Sequence, residues 1–192
     1  MNARIFLTIF LAVALSGCSV FGVQNVSEPA YTVELEDGAI EIRRYTDILI
    51  AETKVKAGYE DMGKEGFRRL SGYIFGKNER EQEISMTAPV LQEGGGEEWS
   101  MSFVMPESVT EANAPIPNDE QVNLIKVPGK RVAVLKYRGS VTEEIISQKG
   151  NELLAWLDSQ GYRPTSEIRS ARYDPPWTIP ALRRNEVHID IK

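Results

Sequence analysis

The chain has 192 residues, with 22 Lys and Arg against 28 Asp and Glu, a net charge of −6, one cysteine and one histidine. That length supports one domain with a sizeable core. The acidic balance argues against nucleic acid or an anionic lipid surface as the main partner, and a lone cysteine rules out an internal disulfide framework.

In chain order, Met1 to Arg4 supplies a positive start. Ile5 to Ala14 form an apolar run broken only by Thr8, and Leu15-Ser16-Gly17 lead into Cys18. These are the parts of a secretory signal, too short to span a bilayer. Leu15-Ser16-Gly17-Cys18 resembles the lipobox of bacterial lipoproteins. The resemblance implies cleavage before Cys18 and acylation of both its thiol and the new amino terminus, which leaves Cys18 unavailable for metals or catalysis. Each buried methylene contributes about 0.8 kcal/mol, so three acyl chains would make a lasting anchor. Ser19 after the cysteine favours, by the same resemblance, the outer membrane, with the domain facing the periplasm. Residues 1–17 are then a lipoprotein signal peptide, 18–30 a lipidated tether and 31–192 the domain.

Ala39–Tyr45 and Ile48–Val55 have strand character, with Ile40 and Ile42 alternating against Glu41 and Arg43. Tyr59–Phe75 predicts a helix that places Tyr59, Met62, Phe67, Leu70 and Ile74 on one side, ended by Gly76. Strands follow at Glu83–Val90 and Trp99–Met105, around a loop at Gln92–Glu97. The order then repeats. Val122–Val127 and Arg131–Tyr137 are strands joined at Pro128-Gly129, and Thr142 caps a helix running to Ser159 with Glu143 and Glu144 in its first turn. Ile145, Ile146, Leu153, Trp156 and Leu157 form its buried face, Gly161 lies past its end, and Ile168–Tyr173 and Glu186–Ile191 are the last strands. The expected fold is therefore α+β: two pseudo-repeated ββαββ halves with eight largely antiparallel strands and two main helices packed on them.

Several segments are more particular than propensity requires. They are Glu41-Ile42-Arg43-Arg44-Tyr45, Gly66-Phe67-Arg68-Arg69-Leu70, Tyr73-Ile74-Phe75-Gly76-Lys77-Asn78, Met86-Thr87-Ala88-Pro89-Val90, Phe103-Val104-Met105-Pro106, Tyr173-Asp174-Pro175-Pro176-Trp177 and Arg183-Arg184-Asn185-Glu186-Val187. In this order they resemble the SOUL/heme-binding protein family over Pro29 to Lys192. The resemblance implies a distorted antiparallel β-barrel of two pseudo-symmetric halves, akin to effector-binding domains, that binds heme or a related porphyrin non-covalently.

Such a ligand needs an apolar slot, cations for its propionates and, optionally, an axial ligand. Lys64 and Arg68 lie one helical turn apart beside Phe67 and Ser71, and these four are the expected tetrapyrrole-binding residues. Lys64 falls on a basic position of the family, whereas a second basic position falls on Gly72. His188 is the one histidine available as an axial ligand. Its strand alternates Val187, Ile189 and Ile191 onto the core face, so His188 is expected on the opposite, solvated face between Glu186 and Asp190. Met62, Met86, Met101, Met105, Tyr59 and Tyr73 are further axial options.

No metal site is expected, since one histidine and scattered acids lack ligand spacing. No catalytic residues are assigned, because neither a nucleophile elbow nor a phosphate-binding glycine pattern is present. The resulting expectation is a lipid-anchored, reversible tetrapyrrole binder of the bacterial envelope, serving in buffering, delivery or sensing. The alternative is a module for another apolar small molecule or an envelope interaction protein, and less so a tetrapyrrole-modifying enzyme.

Overall fold

The computed structural model describes residues 26–192; Cys18, the signal-like segment and the first part of the expected tether lie outside the described residues. Nine strands form: β1 (Tyr31–Asp37), β2 (Ile40–Tyr45), β3 (Ile48–Val55), β4 (Val90–Gly95), β5 (Glu98–Val104), β6 (Val122–Val127), β7 (Arg131–Tyr137), β8 (Arg169–Arg172) and β9 (Asn185–Ile191). Helix α1 (Tyr59–Ile74) connects β3 to β4, and α2 (Glu143–Ser159) connects β7 to β8. All strand pairings are antiparallel, in the order β1-β2-β7-β9-β8-β4-β5-β3-β6.

Three expectations require correction. Among the described residues the sheet has nine strands, because Tyr31, Val33 and Leu35 alternate with Thr32, Glu34 and Glu36 and pair along β2. The strand expected at Glu83–Val90 lies later, at Val90–Gly95. Pro89 has no amide hydrogen to give a ladder, and pairing with β5 starts at Val90 opposite Phe103. The turn falls at Gly96-Glu97, and Gly94 is required just before it. A Cβ there would sit 2.3 Å from the Glu98 carbonyl oxygen. Finally, the barrel is a curled half-barrel with free edges at β1 and β6. Those edges carry Glu34, Glu36, Asn123 and Lys126, charged and polar groups that oppose edge-to-edge closure.

Both helices cover one face of this sheet. Met62, Gly66, Leu70, Tyr73 and Ile74 of α1 are buried, and they pack on Leu49, Ala51 and Val55 of β3 and Trp99, Met101 and Phe103 of β5. Ile146, Leu153 and Leu157 of α2 pack on Ile40 and Ile42 of β2, Ala133 and Leu135 of β7, and Val187, Ile189 and Ile191 of β9. Each Leu, Ile, Val, Met and Phe among these contributes about 1.5–3 kcal/mol on leaving water. The helix ends follow local chemistry. The Thr142 hydroxyl accepts from the Ile145 amide at 3.3 Å, and α1 stops where Gly76 takes φ +97° while the Lys77 amide donates to the Gly72 carbonyl.

Candidate functional site

Strand alternation sends the residues between these core positions to the concave face. Ile48, Ile50 and Glu52 of β3, Ser100, Ser102 and Val104 of β5, Leu91 and Glu93 of β4, Arg169 of β8, and His188 of β9 line a cavity of about 240 Å³ there. Tyr45, Lys130 and Val132 from β2 and the β6–β7 hairpin, with Ile125 and Val127 from β6, complete its wall.

Beside the cavity lies a buried ion network. Glu186 is fully buried and accepts from both terminal nitrogens of Arg43 at 2.9 and 3.0 Å. It also accepts from the Tyr173 hydroxyl at 2.8 Å, Arg184 at 3.0 and 3.1 Å, and His188 Nε2 at 2.7 Å. Arg43, equally buried, also reaches Glu41 at 2.6 Å and the Tyr45 hydroxyl at 3.1 Å, and lies over the Tyr31 ring. Asp190 takes Arg169 at 2.5 Å and Lys130.

Burial works against charge on Glu186, but the hydrogen bonds from His188 and Arg43 outweigh it and hold the carboxyl far below the usual range. Burial pushes the His188 pKa below its ordinary value of 6.5 despite the neighbouring Glu186. Burial likewise pushes the Tyr137 hydroxyl, which has no hydrogen-bond partner among the described residues, up to about 12.

His188 is the main correction to the sequence reading. It does point away from the core face, but it is 95% buried, because the curled sheet folds that side over a second interior of ions. Asn185 and Glu186 also reach distant parts of the chain, Glu186 in addition to its bonds with Arg184 and His188. The Asn185 amide donates to the Gly139 carbonyl at 3.0 Å, and Glu186 joins β2 to β9. Alternation within one strand carried no signal for either role.

The four residues expected on α1 are together, yet away from this cleft. None of Lys64, Phe67, Arg68 and Ser71 lines the cavity. Phe67 is not on the buried stripe. It lies 100° round the helix from Gly66, is 43% exposed, and meets Phe103 edge-on at 5.5 Å. Lys64 is exposed and pairs with Asp61 at 3.4 Å, the Ser71 hydroxyl donates to the Arg68 carbonyl at 3.2 Å, and Arg68 has no ion-pair partner among the described residues. Phe75, eight residues beyond Phe67, is 65% exposed. At Gly72, where the family resemblance leads to an expected cation, the Lys77 stem lies across the helix, 3.2 Å from where a Cβ would stand. The sequence spacing could not show that substitution. Met62, Met101, Met105 and Tyr73 are closed into the core, and the Tyr73 hydroxyl donates to the Pro115 carbonyl at 3.0 Å.

These features define an α+β domain with its helices on one face of a curled sheet and a ligand-sized cleft on the other. The chain belongs to the SOUL heme-binding protein family, whose model matches residues 26–190. It is 34% identical to heme-binding protein 2 of Mus musculus over 92 residues, 46% of this chain and 42% of that protein. It is 35% identical to heme-binding protein 2 of Homo sapiens over 89 residues, 45% of this chain and 40% of that protein. The match thus spans about two fifths of the length of these relatives. Among solved structures, the C-terminal domain of EcmrR superposes with a TM-score of 0.60 at 12% identity, over 84% of this chain and 98% of that one. A hydrolase from Listeria innocua superposes with a TM-score of 0.55 at 10% identity, over 83% and 94%. These two likenesses concern the fold alone.

Proposed function

We propose that this protein binds heme or a related tetrapyrrole reversibly and non-covalently on the outer face of α1. The observation that carries this is the exposure of Phe67, Lys64 and Arg68 within an arc of about 100° on α1, with exposed Phe75 just past its C-terminal end. Aromatic faces suit a flat macrocycle, and cations one turn apart suit its two propionates. The cleft fits such a ligand less well, since its volume of about 240 Å³ is below the ~300 Å³ at which pockets begin to house drug-sized molecules. His188, on the far side of the sheet, is out of reach of iron held on α1, so this reading uses no histidine ligand.

Family membership supports the ligand class. A titration of the chain with heme and with protoporphyrin IX, followed by absorbance, tests the site. Lys64→Glu with Arg68→Glu should weaken both affinities about tenfold or more, and unchanged affinity would remove this site.

The reading extends to an envelope lipoprotein anchored through Cys18 and facing the periplasm, most simply at the outer membrane, where binding would serve buffering, delivery or sensing. Sequence supports the anchor. Glu28 pairs with Arg184 at 2.9 Å, which brings the start of the domain beside the loop bearing exposed Trp177 and Ile179. The ten residues from Cys18 to Glu28 reach at most about 35 Å, a short leash to a bilayer. Cys18→Ala should move the protein from the membrane to the soluble fraction with an unchanged circular dichroism spectrum. Membrane retention of that variant would end the anchor proposal.

We also read the two halves as a repeat. The pairings β2·β7 and β3·β6 exchange under it, as do β3·β5 and β7·β9, and β4·β5 and β8·β9, with β4·β8 at the centre.

A further inference from the structure

The concave cleft has no part in a ligand held on α1, and its chemistry is of another kind. Glu186 is ionised and can only accept, so the proton in the 2.7 Å contact belongs to Nε2 of His188. Burial keeps the ring neutral. Nδ1 is then the unprotonated nitrogen, and no donor among the described residues reaches it. The tautomer is fixed from behind, since Arg43, Arg184 and Tyr173 hold Glu186 in place.

The cations that line the cavity are already engaged. Lys130 pairs with Asp190, and Arg169 with Asp190 at 2.5 Å and Glu93 at 3.5 Å. Glu52 lines the same cavity and has no ion-pair partner among the described residues. Two acceptors of the cleft, Nδ1 of His188 and the Glu52 carboxylate, are therefore unmet, and the Ser102 hydroxyl beside them can accept as well as donate. Around them stand Ile48, Ile50, Leu91, Val104, Val127 and Val132. An apolar wall with a few convergent acceptors selects an apolar body with a donor.

We propose that this cleft is a second binding site, which takes a small apolar molecule carrying an N–H donor, an amine or an N-heterocycle, with Nδ1 of His188 accepting its hydrogen bond. The cavity of about 240 Å³ limits the ligand to fewer atoms than a drug-sized molecule. The fixed ring lowers the ordering cost of binding. A ligand without the donor leaves Nδ1 buried and unsatisfied, at a penalty equivalent to about tenfold or more in affinity.

The test uses the full chain with ¹⁵N-labelled histidine; His188 is the one histidine, so its two ring nitrogens are read without ambiguity. In the free protein one nitrogen should carry a proton and the other should not. Indole should bind saturably and move the unprotonated signal, N-methylindole should bind at least about tenfold more weakly, and benzoate more weakly still. Ile125→Trp, which fills the cavity from edge strand β6 without touching an ion pair, should abolish indole binding while leaving porphyrin affinity unchanged. A doubly protonated ring, equal binding of indole and N-methylindole, tighter binding of benzoate, indole binding that survives Ile125→Trp, or no saturable indole binding would each overturn the proposal.

Discussion

The two faces of β9 are both buried, and they are built from opposite materials. On one side Val187, Ile189 and Ile191 meet α2 in an apolar core. On the other, Glu186 and Asp190 meet Arg43, Arg184, Arg169 and Lys130 in a lattice of ion pairs, with the neutral His188 ring bonded to Glu186. The apolar face is held by area removed from water, and its cost of error scales with lost volume. The ionic face is held by completeness, because each charge is tolerable only while its partners stay. The second arrangement adds little net stability but fixes the geometry around the cleft.

Breaking the ionic face at its centre should have the largest effect. Arg43→Ala removes the buried cation shared by Glu41 and Glu186, leaving only Lys136 on the first and Arg184 on the second, and should cost about 3–5 kcal/mol in urea unfolding. A loss below about 1 kcal/mol would mean that the pairs are solvated rather than buried.

Acid should expose the same contrast next. The folded pKa of His188 lies below 6.5, since burial disfavours the charged ring, so the folded state binds fewer protons than the unfolded chain just below that pH. Stability should be full above about pH 6.5 and fall as pH drops through that window. The carboxyls of Glu186 and Asp190 are held below their ordinary 4.5 and 3.8 by donors that outweigh burial, so their contribution is present above those values and is lost further into acid. Unfolding measured from pH 8 down to about 2 checks both windows, and a rise in stability near pH 5 would contradict the neutral ring. The smallest effect belongs to the apolar face. Ile189→Val removes one methylene from a fully buried site and should cost about 0.5–1.5 kcal/mol, with no change in the histidine signals.

Much of the fold was legible in the chain. The expected spans of β3, β6 and β7 and of both helices hold to within a residue, the strands bounded by turn residues and the helices marked by an apolar stripe. β1 was not read from the sequence, because its side chains lie mostly exposed at a sheet edge and bury no apolar stripe. The Glu83–Pro89 stretch misled, since its apolar alternation serves a connection in which Thr87 bonds the Val104 carbonyl at 2.5 Å. On α1, helical spacing put Phe67 on the buried stripe, and the fold leaves it 43% exposed. Only the fold revealed that Lys77 crosses Gly72.

By itself the sequence determined most element types, the α+β class and the family, because local periodicity and short motifs are written in neighbouring residues. Tertiary structure alone decided that His188 is buried, that Glu186 answers to Arg43 from 143 positions away, and that these groups border a cleft. The physical reason is that alternation separates the two faces of a strand without saying what covers either one. A charged face reads as solvated until sheet curvature brings opposite charges from distant strands against it.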